Sequence, residues 1–562
     1  MTELILPPGL VLIAGGFLLP VLKAPLRQAA VVLLPVITLF LVWSLPLGTS
    51  ASTGFLEYQL TPVYASASGR LFATIFCIMA CVGGLYAIGQ ARVLEISAAF
   101  VYAGSAVGVT FSGDLITLFV FWEIMALGST MVLWAAGTES AYRASIRYLL
   151  IHLLGGVILM TGIVLRVYST GSVAFGPMQA DSLGNILILA GFLVNAGAPP
   201  VSAWIADAYP EASPSGMVFL SAFTTKTAVF VLLVGFAGTE ALIYIGLYMV
   251  FYGIIYALLE NDMRRILAYS IVNQVGFMVC AIGIGSELAL NGAAAHAFAH
   301  IIYKALLLMS AGSVLAMTGK RKCTDLGGLF QSMPVTAING IVGALAISAF
   351  PFTSGFVTKS LESAAAAEQG LVLVWFLLMA ASAGVFLHAG IKFPWFVFFQ
   401  KDSGLRPPDP PLNMRASMWI FSFLCIAIGI APGYLYHILP FPTSYEPYTF
   451  NHLVSQFQLL LFAGFAFFVL LPMMKRTLTI SLDFDWFYRR FFRFVATEFT
   501  LKTSDFLKKL EARAILRTDN LISRLYKHHG PQGILARTWP SGSMVLWVAI
   551  MLAGLILTSA IF

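Results

Sequence analysis

The sequence predicts an all-α polytopic membrane protein with about 14–16 transmembrane helices, and three observations carry that prediction. Of the 562 residues 59% are hydrophobic and 10% charged, and the mean hydropathy is +0.89, which excludes both a soluble globular chain and a disordered one. The apolar residues gather into runs of about 18 or more, enough at about 1.5 Å per residue to cross a hydrocarbon core. The stretches between the runs are short and turn-rich, so the chain reads as one integral bundle.

In chain order, the spans are expected at 6–22, 28–46, 71–89, 93–112, 114–136, 146–167, 184–200, 216–236, 241–259, 265–285, 290–316, 335–366, 370–391, 415–436, 453–473 and 543–561. The first, in MTELILPPGLVLIAGG, lacks a basic leader and a small-residue cleavage site, so it reads as a helix of the mature protein. Between the second and third, GTSASTGFLEYQLTPVYASASG alternates Thr, Tyr and Leu among turn residues, which suggests a surface hairpin. Two spans are interrupted, by LVNAGAPPVSAW at 193–204 and by ISAFPFTSGFVTKS at 347–360. Proline removes a backbone donor and clashes with the preceding turn, so both helices should break inside the membrane and free carbonyls there. Paired broken helices point to an ion pathway, with two plain kinks as the competing reading.

Residues 475–537 differ from the rest, carrying 13 Lys and Arg against 6 Asp and Glu where the remainder of the chain balances at 19 against 19. Within them Val495, Phe499, Phe506, Leu510, Leu516, Leu521 and Leu525 recur between basic residues, as in an amphipathic helix at a membrane surface. The positive-inside rule puts this segment in the cytoplasm, where it meets anionic lipid or docks a partner. A last span, GSMVLWVAIMLAGLILTSAIF, follows it.

The five cysteines, Cys77, Cys81, Cys280, Cys323 and Cys425, form no CxxC pair. No glycine-rich phosphate loop is present, so no cofactor and no metal are expected, and nothing points to nucleic acid. The chemistry falls to side chains and water.

Charge inside a bilayer costs about 2.5–3.5 kcal/mol per group, so such residues face a cavity or pair with one another. Glu123, in DLITLFVFWEIMALGSTMVLW, has no polar partner on its own helix face and can exchange a proton according to its neighbour's state; a structural carboxylate is the alternative. Lys226 lies mid-span in FLSAFTTKTAVFVLLVGF, too deep for its stem to reach an interface comfortably. Lys359 follows the interruption at Pro351 and Gly355, where a broken helix opens to one aqueous side; an interfacial helix-end lysine is the alternative. His296, His300 and Lys304 step by four and so share one helix face over about 12 Å. HxxxH also fits zinc spacing, but Ala297, Phe298 and Ala299 stand where a zinc protease carries its glutamate, and a relay through water fits better. Arg147, His152 and Lys392 are weaker candidates.

The segments DLITLFVFWEIMALGS, PPVSAWIADAYPEASPSGMVFLSAFTTKTAVF, ENDMRRILAYSIVNQVGFM, HAFAHIIYKALLLMSAG and FPFTSGFVTKS occur in order across residues 90–400. Together they resemble the antiporter-like proton-translocating subunits shared by respiratory complex I, membrane-bound hydrogenases and Mrp-type multisubunit cation/proton antiporters. Within that superfamily the chain looks most like the D branch of the Mrp-type antiporter subunits. The resemblance implies two inverted five-helix repeats, each with a broken helix, joined by ionisable residues and water across the membrane centre. The chain is then expected to divide into N-terminal helices (1–90), a first repeat (91–260), a second repeat (261–400), peripheral helices (401–474), and a C-terminal section that departs from the family, the basic segment (475–540) with the terminal span (541–562). It assigns Glu123 to the family's ion-pair glutamate, Lys226 to its central lysine, His300 and Lys304 to its connecting helix, and Lys359 to its distal exchange lysine; His296 matches a position often held by histidine. One departure stands out: Asn195 occupies the place of the lysine that partners the glutamate, at the family's spacing of 31 residues from Lys226. Glu123 would then pair with Lys226, or with an inward-turned Arg147.

The expectation is a proton-translocating subunit of a multisubunit monovalent cation (Na+)/proton antiporter in the cell's inner (cytoplasmic) membrane. Its partners would be the other subunits of that hetero-oligomeric complex, the lipid bilayer, protons and Na+. The alternatives are a proton-pumping membrane component powered by redox partners, and a stand-alone solute symporter.

Overall fold

The computed structural model describes residues 5–472 and 482–561, in two units, Met1–Asp485 and Trp486–Phe562. Among the described residues thirteen helices are long and apolar enough to cross a membrane, and three shorter apolar helices accompany them. These sixteen fall on the sixteen expected spans.

The first unit opens with α1 (Gly9–Leu18) and α2 (Ala24–Ser44) and the antiparallel hairpin of β1 (Ser50–Phe55) and β2 (Tyr58–Tyr64). There follow α3 (Ala67–Ala87), α4 (Val93–Phe111), α5 (Leu115–Trp134) and α6 (Glu139–Thr170), then α7 (Leu183–Ala196) with the short α8 (Trp204–Ala208), and α9 (Gly216–Leu220) with α10 (Thr224–Gly235). Next come α11 (Ala241–Leu259), α12 (Met263–Ile284), α13 (Glu287–Thr318), and the pair α14 (Pro334–Ile347) and α15 (Ser354–Glu368). α16 (Val372–Val385) runs on through two π-helical turns, Phe386–Lys392 and Trp395–Phe399, to α17 (Leu412–Ile430), α18 (Gly433–Tyr436) and α19 (Phe450–Leu470). Short polar caps set several starts: Asp114, Thr138, Ser182, Asp262 and Ser286 each accept a backbone N–H in the first turn of α5, α6, α7, α12 and α13.

α12 is enclosed on every side and α10 nearly so, whereas α2 and α19 turn mostly outward. The core lies where α10, α12 and α13 meet, and exposed apolar side chains such as Phe40 and Phe465 cover the outside. In a bilayer these face lipid tails instead of water.

Three spans are broken. α7 ends at Gly197, whose φ of 77° takes the left-handed turn that a β-carbon would oppose, and the chain is irregular up to Trp204. α14 ends at Ile347, and Ala349 (φ 55°) and Phe352 (φ 67°) carry the chain to α15. Proline and glycine announce both. The third break, between Leu220 and Thr224, has neither and is absent from the expected continuous span 216–236.

The loops sort by charge. Asp262 and Lys322 form an isolated antiparallel bridge at one end of the bundle, and the loops of that end hold Lys23, Arg92, Lys320, Arg321, Lys322, Lys401 and Arg406. At the other end Asn291 bonds Phe441 and Asp114 pairs with Ala174; the loops 45–66, 112–114, 171–182, 236–240, 285–286, 369–371 and 431–449 contain no Lys or Arg. These ends are the basic and the acidic face below. Near the close of this unit Asp483 accepts hydroxyl bonds from Tyr252 on α11 and Tyr269 on α12, each at 2.7 Å.

The second unit contains α20 (Phe492–His529), 38 residues long and exposed along its described length, and α21 (Ser541–Ile561). They occupy the expected surface helix and terminal span; residues 473–481, which include the expected start of the basic segment, lie outside the described residues.

Candidate functional site

Lys226 is fully buried at the third break. Its Nζ donates to the carbonyl of Ser221 at 2.7 Å and to Thr225 Oγ1 at 3.1 Å. Lys359 repeats this in the second half: its Nζ donates to the carbonyl of Ile347, the last residue of α14, at 2.7 Å, and lies over the Phe277 ring at 5.1 Å. Each ammonium thus takes a carbonyl that a helix break has freed, which both satisfies that carbonyl and holds the lysine at mid-depth.

Between them runs α13, with His296, His300 and Lys304 all buried on one face. Lys304 Nζ donates to Ser270 Oγ at 2.8 Å across to α12. The His296 and His300 rings stand 6.1 Å apart at 89°. Both ring nitrogens of His300 are buried and have no hydrogen-bond partner among the described residues, although Lys226, Lys304, His296 and Lys359 all lie within its electrostatic reach. A polar group so placed is suited to transient proton or water contacts.

His296 is tied into a network. Its Nδ1 is 2.9 Å from Glu362 Oε1, and its Nε2 is 2.8 Å from the Tyr303 hydroxyl and 3.2 Å from Gln274 Oε1, to which Tyr303 also donates at 3.1 Å. A ring protonated on Nδ1 donates to Glu362 and can accept at Nε2 from Tyr303, and one protonated on Nε2 donates toward Gln274, so the network can hold the proton on either side of the ring. Glu362 is the residue that sequence reading passed over. It sits three positions beyond Lys359, on the same face of α15, and is completely buried. That spacing was the available signal.

In the first half, Glu123 projects from α5 against Gly156 of α6, and its Oε1 is buried without a partner. One turn before Gly156, His152 Nδ1 lies 2.8 Å from Asn195 Oδ1; an amide oxygen only accepts, so the ring donates. The other nitrogen, Nε2, has no partner among the described residues, and the ring lies tilted against Tyr148 (4.0 Å, 53°) and edge-on to Trp204 (4.6 Å, 77°). From this pair a hydroxyl chain leads inward: Tyr148 donates to Ser129 at 3.0 Å and lies 3.4 Å from Thr224 Oγ1, itself 2.6 Å from the Tyr102 hydroxyl, beside Thr225 and Lys226. These hydroxyls, too, carry no sequence signal.

Two expected candidates stand elsewhere. Arg147 grips Asp207 with two bonds, Nε at 2.7 Å and a terminal nitrogen at 2.8 Å, and so turns away from Glu123. Lys392 closes the end of α11, donating to the carbonyls of Ala257, Leu258 and Glu260 at 3.1, 2.6 and 2.6 Å. Toward the basic face, Glu95 of α4, also missed by sequence reading, is buried and accepts a 2.5 Å bond from Ser215.

Comparison with known proteins falls on the same region. Residues 112–386 match the family described as NADH:quinone oxidoreductase/Mrp antiporter, transmembrane. The chain is 32% identical over 358 residues, 59% of its length, to a probable K(+)/H(+) antiporter component of type A/B from Rhizobium meliloti, of which the match covers 36%. It is 29% identical over 272 residues to the D-type component of the Na(+)/H(+) antiporter of Alkalihalophilus pseudofirmus, covering 45% of this chain and 55% of that one. The chain therefore spans little more than a third and little more than half of these two relatives. Among solved structures, the Mrp complex from Dietzia sp. superposes with a TM-score of 0.73 at 20% identity, over 98% of this chain and 62% of the other. The archaeal membrane-bound sulfane sulfur reductase, a respiratory membrane complex, gives 0.72 at 22% identity, over 98% and 99%. At these identities the likeness is one of fold.

Proposed function

We propose, from the match of residues 112–386 to the family described as NADH:quinone oxidoreductase/Mrp antiporter, transmembrane, that this chain is the proton-translocating subunit of a multisubunit monovalent cation (Na+)/proton antiporter. The observation that carries the reading is the row of ionisable groups, the half-buried Glu123 and buried His152 on one side, buried Lys226, His300, Lys304 and His296 in the middle, and buried Glu362 and Lys359 on the other. Such groups are costly in a bilayer interior and mark proton and ion paths. By the positive-inside rule the basic face is the cytoplasmic one, which supports the proposal that the membrane is the cell's inner (cytoplasmic) membrane.

The row works by alternation. A proton arriving at Glu123 or at the His152 and Asn195 pair changes the charge beside the hydroxyl chain that ends at Thr224 and Tyr102, in the turn that carries Lys226. Lys226 and Lys359 each hold a break carbonyl, so loss of a proton from either weakens one hydrogen bond and loosens one break. His300, unpartnered between them, passes the change along α13. Antiporter relatives carry Na(+) or K(+) in their names, and the cation proposed here is Na+.

Replacing Glu123 or Lys359 by Ala in the intact complex, reconstituted in vesicles with a pH-sensitive dye, should abolish proton flux; unchanged flux would overturn the proposal. A redox-driven complex is the second reading, prompted by the full-length fold likeness to a respiratory membrane complex. Flavin or iron–sulfur absorbance in the purified native complex would select it.

A further inference from the structure

The last polar groups beside Lys359 come from a helix outside the matched residues 112–386. α19 lies in the stretch assigned by sequence to peripheral helices, yet its first two turns face the second break. Gln456, buried, donates from Nε2 to the carbonyl of Ala349, inside that break, at 3.0 Å. One turn earlier, at the i, i+4 position on the same face, the half-buried His452 stacks on Phe356 of α15, ring centroids 4.5 Å apart at 15°. His452 Nδ1 lies 2.7 Å from the carbonyl of Pro447. A carbonyl only accepts, so Nδ1 keeps its hydrogen there and Nε2 of the neutral ring is left as an acceptor.

A cavity of about 30 Å³ separates this ring from Lys359, with Ser360, Ser363, Ser382 and Gln456 also in its wall. A space of that size admits one or two waters, and the polar wall supplies their partners. Lys359 has three N–H donors and spends one on Ile347. His452 sits in the first turn of α19, directly after the acidic-face loop 431–449. The cavity therefore joins a deeply buried ammonium to an imidazole at the edge of the bundle.

We infer that His452 is the proton-release group of this chain, taking the proton of Lys359 through cavity water onto Nε2 and delivering it to water at the acidic face. The Lys359 ammonium gives one proton to a cavity water while that water gives one of its own to Nε2. The ring becomes an imidazolium with Nδ1–H still on Pro447, and loss of the Nε2 proton outward restores it. Lys359, now a neutral amine, is recharged from the Glu362 and His296 side. Gln456 does not titrate; it is a positioning residue that fixes the break carbonyl beside the cavity. The competing role for His452 is packing alone, through Phe356 and Pro447.

The inference rests on the proton-translocating reading above, and the test separates the two. The whole complex is reconstituted in vesicles carrying a pH dye, with Lys359→Ala as reference and thermal unfolding as the check on folding. His452→Ala should slow proton flux about tenfold or more, and imidazole added at the acidic face, but not at the basic face, should restore it. His452→Gln, which keeps a donor for Pro447, should stay slow. Full flux in either variant, restoration by Gln, or a folded Ala variant that imidazole does not rescue each overturns the role; should His452→Ala fail to assemble, the Gln variant decides. A silent Lys359→Ala would instead overturn the reading on which this rests.

Discussion

His296 Nδ1 lies 2.9 Å from Oε1 of Glu362, and both side chains are enclosed by protein on all sides. The pair links α13 to α15 one turn from Lys359, so a carboxylate stands beside the second lysine as well as the histidine stripe. A buried pair of this kind is costly to break by removing one partner.

Glu362→Gln preserves the size of the side chain and one acceptor but cannot hold a negative charge. It is expected to lower proton flux by about 100-fold while leaving complex assembly intact, as read by dye quenching and by size-exclusion of the solubilised complex. Native flux in an assembled Glu362→Gln complex would remove Glu362 from the path.

His152 donates to Asn195, and asparagine cannot carry a proton. If the imidazole stands in for the missing lysine, His152→Ala should lower flux by about tenfold or more, and Asn195→Lys added to it should restore much of that loss, the vacated ring space taking the longer side chain. A double variant as slow as the single one would count against the substitution.

A methyl group at position 156 would run into Glu123 Oε1. Alanine favours a helix interior over glycine by about 1 kcal/mol, so Gly156→Ala should leave α6 at least as well formed while it displaces the carboxylate. The expected outcome is reduced proton flux with an unchanged unfolding temperature; unchanged flux would mean that Glu123 needs no fixed position.

Outside the membrane, at the basic face, Glu211 meets Arg321 at 2.9 Å. Burial pushes the Glu211 carboxyl up, but the Arg321 charge, hydrogen bonds from Ser140 and Arg321 and the charge of Arg264 together pull it further down, to below its ordinary value of 4.5. A carboxyl depressed in the folded state contributes stability that is complete above the ordinary value and is lost as pH falls through the folded one. The thermal midpoint of the solubilised complex should therefore drop on acidification from about pH 4.5 downward, and Glu211→Gln should flatten part of that slope. An identical slope in the variant would show that this pair is not involved.

Length and apolarity made the spans legible, and Pro and Gly made two of the three breaks legible. The third escaped because its partners are remote: the N–H of Thr224 donates to the Tyr102 hydroxyl, 122 positions away, at 2.9 Å, while Lys226 takes the Ser221 carbonyl. No local pattern reports a break held from another helix. Lys226, Lys359 and the α13 stripe could be picked out because charge in an apolar run is conspicuous on its own. Glu362 was hidden at a helix position resembling a membrane exit, and its meaning depends on His296, 66 positions distant. Arg147 and Lys392 were equally conspicuous, yet their partners Asp207 and the end of α11 give them structural work that composition cannot distinguish from a place on the path.

The hydroxyl clasp on Asp483 has a consequence for α12. Asp483 is held by the hydroxyls of Tyr252 and Tyr269, and the neighbouring carbonyl of Leu482 by that of Tyr256, so three tyrosines of α11 and α12 fasten this stretch. The next residue along α12 is Ser270, which holds Lys304, and one turn further is Gln274, which meets His296. Asp483 is thus bonded to α12, the same helix whose Ser270 and Gln274 meet Lys304 and His296.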